Sequence, residues 1–184
     1  MILSFFYNYA MQKIPQDLPV VRLRALEPED LSVLYETEND TAIWDAGGTN
    51  VPYSRHVLLD YITNARADIY ADCQVRLMAE NGHGETVGMV DLVNFDPRHR
   101  RAELGVVTRQ AFRRQGYGEA MVRQIVDYAR HVIYLHQVYA IVSHDNIQCL
   151  SVLKNVGFKE VAYLDDWLFD GTSYKAAVQL QLIL

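Results

Sequence analysis

The stretch RRQGYGEAMVRQIVDYAR, Arg113 to Arg130, sets two glycines among basic and amide side chains directly ahead of an amphipathic run. Glycine is a poor helix former, so a helix that opens on Gly116 and Gly118 needs a reason. One reading is an ordinary tight turn. The other is a backbone bared to hold an anion. The first NH groups of a helix lack internal partners, the helix dipole makes that end positive, and glycine lets a phosphate come close. Arg109, Arg113 and Arg114 add positive charge nearby. The GxxxxGK[ST] spacing of a P-loop is absent, and a GxGxxG dinucleotide turn fails because Met121 stands at its third glycine. The pattern [RQ]xxGxG/A fits, with Arg113, Gly116 and Gly118 in place.

Outward from this turn the chain alternates strand and helix. Upstream, AELGVVT (102–108) reads as a strand, and before it CQVRLMAENGHGETVGMVDLVNF (73–95) reads as two strands joined by the turn NGHG. Earlier still, VVRLRAL (20–26) alternates like a half-buried strand, and EPEDLSVLYETEN reads as a helix with Pro28 in its first turn. Ser54 is placed to cap a helix running through RHVLLDYITNARADIY (55–70). Downstream, QVYAIVS (137–143) is a strand, NIQCLSVLKNVG (146–157) a helix closed by Gly157, and two strands finish the chain. No repeat, low-complexity tract or linker interrupts the order. The expected fold is α/β: one domain with a mixed central sheet of about seven strands and about four helices.

Composition narrows the function classes. A chain of 184 residues suits one domain with a real core. Its net charge of −6 argues against a general nucleic-acid binder, which needs a basic face, and leaves room for a cationic substrate. Cys73 and Cys149 stand far apart without CxxC spacing, and the histidines show no HExxH pattern, so neither a disulfide framework nor a metal site is expected. The opening MILSFFYNYAMQKIPQDLPV lacks a basic n-region and a small-residue cleavage site, which speaks against a signal peptide. Residues 1–10 read as an N-terminal extension or an ordered arm, with Met11 an alternative start and 11–184 the domain. No segment approaches the ~20 apolar residues of a membrane span. A cytoplasmic protein is expected.

Three motifs in order resemble the GNAT acetyltransferases. They are VRLRALEPEDLSVLYETEND (21–40), HRRAELGVVT leading into RRQGYG, and NIQCLSVLKNVGFKEVA (146–162). The first is similar to the branch that holds ribosomal-protein N-terminal acetyltransferases and bacterial spermidine N-acetyltransferases. The resemblance implies a sheet splayed between its fourth and fifth strands, with acetyl-CoA as co-substrate and no metal. Backbone NH groups of Gln115, Gly116, Tyr117, Gly118 and Glu119, with Arg113 and Arg114, would meet the pyrophosphate. The backbone of Val106 and Val107 would pair with the pantetheine arm in the splay, and Asn146 would bond the cofactor. Plain readings stand beside these: solvated charge for the arginines, a helix cap for Asn146.

Acetyl transfer needs a neutral amine, a polarised thioester carbonyl and a proton for the leaving thiolate. Glu103 occupies the place of a similar glutamate in the spermidine enzymes and is the candidate base, against the plain reading of a surface strand residue. Relatives with a clear acid carry tyrosine four residues before the Gly of Gly-Phe, where this chain has Leu153. Either Tyr139 or Tyr163 substitutes, each with a core role as the alternative, or the thiolate leaves and is protonated by solvent. Cys149 reads as a buried small hydrophobe rather than a nucleophile. Glu36, Glu38, Asp40 and Asp45 make the acceptor side acidic, and Glu36 and Asp40 are the candidates for substrate binding. The acceptor is then a primary amine such as a polyamine, or alternatively a protein N-terminus. A non-catalytic acyl-CoA-binding module stays open, as does a homo-oligomer.

Overall fold

A computed structural model describes residues 17–41, 51–66 and 68–184. Its seven strands form one sheet in the order β1-β2-β3-β4-β5-β7-β6. Strand β1 is Val21–Ala25, β2 Val75–Asn81, β3 Thr86–Asp96, β4 Arg101–Thr108, β5 Gln137–Ser143, β6 Lys159–Phe169 and β7 Tyr174–Ile183. Five α-helices are found among the described residues: α1 Leu31–Glu38, α2 Arg55–Asn64, the short α3 Ile69–Asp72, α4 Tyr117–His131 and α5 Ile147–Val156. The mixed seven-stranded α/β sheet expected from the sequence is thus observed.

Two faces of the sheet carry two cores. On one, Ala102, Leu104, Val138, Ala140 and Val142 pack beneath Met121, Val122 and Ile125 of α4 and Leu150 and Leu153 of α5. On the other, Met78 and Met89 pack under Leu34 of α1 and Leu58 and Ile62 of α2, with Val107 against them. Period-two alternation delivers this division: Ala102 and Leu104 go to the α4–α5 face, Glu103, Gly105 and Val107 to the α1–α2 face. The helices of the first face are tied together by polar contacts. Glu119 accepts from Arg123 at 2.7 Å and from Asn155 at 3.1 Å, and Arg123 also donates to the Asn155 carbonyl.

Strand β1 and α1 are pinned by charge. Arg24 donates to both Asp30 oxygens, at 2.6 and 2.7 Å, and to Glu80 on β2. Burial pushes the Asp30 carboxyl up, but the Arg24 guanidinium and the Glu27 backbone NH outweigh it and hold it below its ordinary value.

One expected helix differs. The run capped by Ser54, whose hydroxyl does accept from the Val57 NH at 3.2 Å, ends at Asn64 instead of reaching Tyr70. Ala65 takes extended backbone there, and Asp68 starts a separate turn by accepting from the Tyr70 NH. A local Asx cap outcompetes helix propagation. The N-terminal arm and Asp45 lie outside the described residues.

Candidate active site

The site is built where the sheet parts. Strands β4 and β5 run parallel and pair only at Arg101↔Gln137, Ala102↔Val138 and Glu103↔Tyr139. Beyond that rung β4 stays with β3 as far as Gly88↔Thr108, and β5 stays with β7 as far as Ser143↔Ala177. Leu104–Thr108, which includes Val106 and Val107, therefore has no β5 partner over about 16 Å of strand, and the backbone groups of alternate residues face the opening. The splay that the resemblance implies is present.

At the top of β4 the chain makes a 3-10 turn, Gln110–Phe112, before entering α4 through two left-handed residues. Arg114 has φ 61° and Gly116, the cap residue, φ 83°. The first backbone bond into the helix is Ala120 NH to the Gly116 carbonyl at 3.1 Å, as expected for a helix whose leading NH groups lie ahead of its first internal bond. The two glycines differ in kind. A Cβ at Gly116 would lie 2.9 Å from Pro19 Cδ, so that position needs glycine for both conformation and space. Gly118 has helical backbone, and a Cβ there would stand 3.3 Å from the Thr108 hydroxyl. Leu18 and Pro19 thus lie against the turn, a contact that sequence spacing gave no sign of.

The loop side chains are engaged locally. Arg109 donates to the Thr86 carbonyl at 2.8 Å, Arg113 to the Thr108 carbonyl at 3.0 Å, and Gln115 to the Ala111 carbonyl at 2.9 Å. Glu36 and Asp40, proposed from sequence for the acceptor, sit 3.8 Å from Arg109 and 4.0 Å from Arg113. Asn146 caps α5, its side-chain oxygen accepting from the Cys149 NH at 3.1 Å. The cap reading therefore holds, and it leaves the amide nitrogen with its own donors.

On the α1–α2 face, Glu103 accepts from Asn94 at 2.9 Å and stands opposite Tyr139. Burial pushes the Tyr139 hydroxyl above its ordinary pKa, and the adjacent Glu103 carboxylate pushes it further. Leu153 is 1% exposed, within the α4–α5 core. Tyr163, for which a core role was the alternative, is 57% exposed on β6, with its ring edge-on to His144. Burial pushes the Cys149 thiol up to about 11.

Sequence reasoning missed an ionic cluster beside these groups. Arg76 on β2 donates to both Asp91 oxygens on β3, at 2.8 and 2.9 Å, and to Glu38 of α1. Its guanidinium lies over the Tyr61 ring, 5.6 Å from the centroid. Burial works against the charge of Arg76, but Asp91 and Glu38 outweigh it and hold its pKa above the usual arginine range. Asp91 is the register partner of Gly105, and a Cβ on Gly105 would meet the Asp91 side chain at 3.4 Å. The only signal in the sequence was an arginine and an aspartate at outward positions of two hairpin strands.

Residues 21–159, from β1 through α5, match the acetyltransferase (GNAT) domain. The chain belongs to the GNAT acetyltransferase family. Among its GNAT relatives, the spermidine N(1)-acetyltransferase of Escherichia coli strain K12 is 26% identical over 163 residues, 87% of this chain and 84% of that one. A crystal structure of spermidine N-acetyltransferase from Vibrio cholerae in complex with CoA and spermine superposes with a TM-score of 0.79 at 23% identity, covering 89% of this chain and 95% of that one. A dodecameric structure of the Vibrio cholerae enzyme gives a TM-score of 0.75 at 22% identity, over 89% and 93% of the two chains. Both structural likenesses carry the GNAT fold.

Proposed function

We propose that this GNAT enzyme moves an acetyl group from acetyl-CoA to a primary amine of a polyamine such as spermidine, by direct transfer. The observation that carries the reading is the opening between β4 and β5 above the three shared rungs, with Glu103 at its base. The names of its relatives, and the CoA and spermine of the solved Vibrio cholerae complex, support both substrates.

In this reading the NH groups of Gln115 to Glu119 receive the pyrophosphate, while Arg113 and Arg114 supply charge. The unpaired row of β4 at Val106 and Val107 takes the pantetheine arm as a strand would take a neighbour, and Asn146 donates from its amide nitrogen. The thioester carbonyl then comes to rest near the base of the opening. Glu103 removes the amine proton, directly or through one water. Glu36 and Asp40 serve the acceptor, and their contacts with Arg109 and Arg113 give way when phosphate competes for the guanidinium groups. Asp91 adds a second carboxylate one diagonal step from Glu103 across the bare backbone of Gly105, the two positions about 7 Å apart along the sheet. That separation suits two nitrogens joined by a short alkyl spacer.

The test is thiol release from acetyl-CoA with spermidine, spermine and N-terminal peptides as acceptors, with acetylated products identified by mass spectrometry. Spermidine turnover far above that of any peptide supports the reading. Turnover of a peptide alone would replace it with N-terminal acetylation, and acetyl-CoA binding without turnover on any amine would leave a binding module. Light scattering on the same preparation tests a further proposal, that the chain self-associates like its dodecameric relative.

A further inference from the structure

In the proposed transfer the departing thiolate needs a proton, from solvent or from a group of the protein. The carbon–sulfur bond must break, and Leu153, which stands where relatives keep a tyrosine, has no proton to give and is buried in the α4–α5 core. Tyr163 is on β6, beyond β7 from the opening. Cys149 belongs to α5 and packs against the same core as Leu153. Tyr139 is placed differently. It forms the last rung that joins β5 to β4, directly opposite Glu103, and register partners in a sheet carry their side chains on the same face. That face is the α1–α2 side, because Val138 and Ala140 on either side of Tyr139 turn to the other core. Immediately beyond Tyr139 the strands diverge.

We propose that Tyr139 donates the proton to the departing thiolate, and that Glu103 and Tyr139 together close the proton balance of the reaction within the site. The inference rests on the acetyl-transfer reading above. As the amine nitrogen bonds to the thioester carbon, its proton passes to the Glu103 carboxylate. As the carbon–sulfur bond breaks and its electron pair goes to sulfur, the Tyr139 hydroxyl gives that sulfur its proton. Protonated Glu103, lying beside the resulting phenolate, returns a proton to it. Amide and thiol leave, and both side chains are restored without a proton from bulk solvent. A tyrosine hydroxyl is protonated at neutral pH, as a donor must be. Among the described residues, the charged groups acting on Tyr139 are Glu103, Arg101 and Asp96, and its β7 partner is the neutral Gln181.

The experiment pairs two variants of the intact enzyme with spermidine as acceptor. Tyr139→Phe keeps the ring and should lower kcat by about 10²-fold while leaving the KM for acetyl-CoA within about twofold. Replacing Tyr139 with 3-fluorotyrosine, whose phenol is more acidic, should move the basic limb of the pH–rate profile downward. A purely structural tyrosine would move neither. Wild-type kcat in Tyr139→Phe, or a basic limb that stays in place with fluorotyrosine, overturns the assignment of Tyr139 and leaves acetyl transfer standing. Failure of the wild-type enzyme to turn over any amine would overturn both.

Discussion

Arg76 grips Asp91 through both carboxylate oxygens and so fixes that carboxylate over the uncovered backbone of Gly105, next to the opening between β4 and β5. The arrangement explains why a charged side chain only 21% exposed is tolerated in a half-apolar layer. Removing the guanidinium would leave Asp91 and Glu38 as partly desolvated charges facing the same space. Arg76→Met should therefore cost about 2 kcal/mol. This is below the ~3–5 kcal/mol of a fully buried pair, because water still reaches the cluster. The midpoint of urea denaturation measures it. Gly105→Ala, which only pushes on Asp91, should leave the midpoint nearly unchanged and raise the KM for the amine.

The two glycines of the α4 turn should respond unequally. Gly116→Ala places a Cβ on a left-handed residue and against Pro19, so it should cost about 1–2 kcal/mol and weaken acetyl-CoA binding by at least tenfold. Gly118→Ala meets only the Thr108 hydroxyl and replaces glycine with a better helix former. Its effect on both quantities should be several-fold smaller. Calorimetric titration with acetyl-CoA, together with thermal unfolding, distinguishes the two. Equal effects would show that the turn is only a turn.

Glu103→Gln retains a partner for Asn94 but cannot accept the amine proton. Turnover should fall by about 10²-fold or more with acetyl-CoA affinity nearly intact. Wild-type kinetics across pH would return Glu103 to the status of a strand residue.

Much of this was legible in the sequence, for identifiable reasons. Strand β5 and helix α5 were marked by local chemistry: a short apolar run rich in β-branched residues over 137–143, a capping Asn146, and Gly157 at φ 109° to end the helix. The turn ahead of α4 was legible because few residue types allow that backbone. What stayed hidden depends on register between distant segments. Nothing near Arg76 in the chain says that it meets Asp91 and Glu38, and nothing near Tyr139 says that it faces Glu103. The contacts of Glu36 and Asp40 with Arg109 and Arg113 are of the same kind. Acidity suggested an acceptor site, and only the fold showed the loop arginines within reach.

Those contacts give a prediction with two opposite signs. Neutralising Glu36 and Asp40 together, as Gln and Asn, should raise the KM for spermidine several-fold. It should also tighten acetyl-CoA binding by a small factor, because Arg109 and Arg113 no longer divide their charge. Added salt should imitate the first effect by screening. Steady-state kinetics and calorimetry on the double variant read the two quantities separately, and a fall in both affinities would contradict the arrangement.

Cys149 should be chemically quiet. With its thiol pushed up to about 11 by burial, Cys149 carries little thiolate at pH 8, and reactivity should climb as pH rises. Iodoacetamide should modify exposed Cys73 first. Cys149→Ala should keep full turnover, with no acylated protein detectable by mass spectrometry after mixing with acetyl-CoA.

Three rungs between β4 and β5 also make a mechanical statement. The sheet is two half-sheets stitched along a short seam, clamped on one side by α4 and α5 with their Glu119–Arg123–Asn155 lashing and without that clamp on the other. A hinge braced on one side flexes toward the other. If acetyl-CoA lodges in the opening as proposed, it bridges the two halves like mortar, and binding should slow amide exchange along β4 and β5.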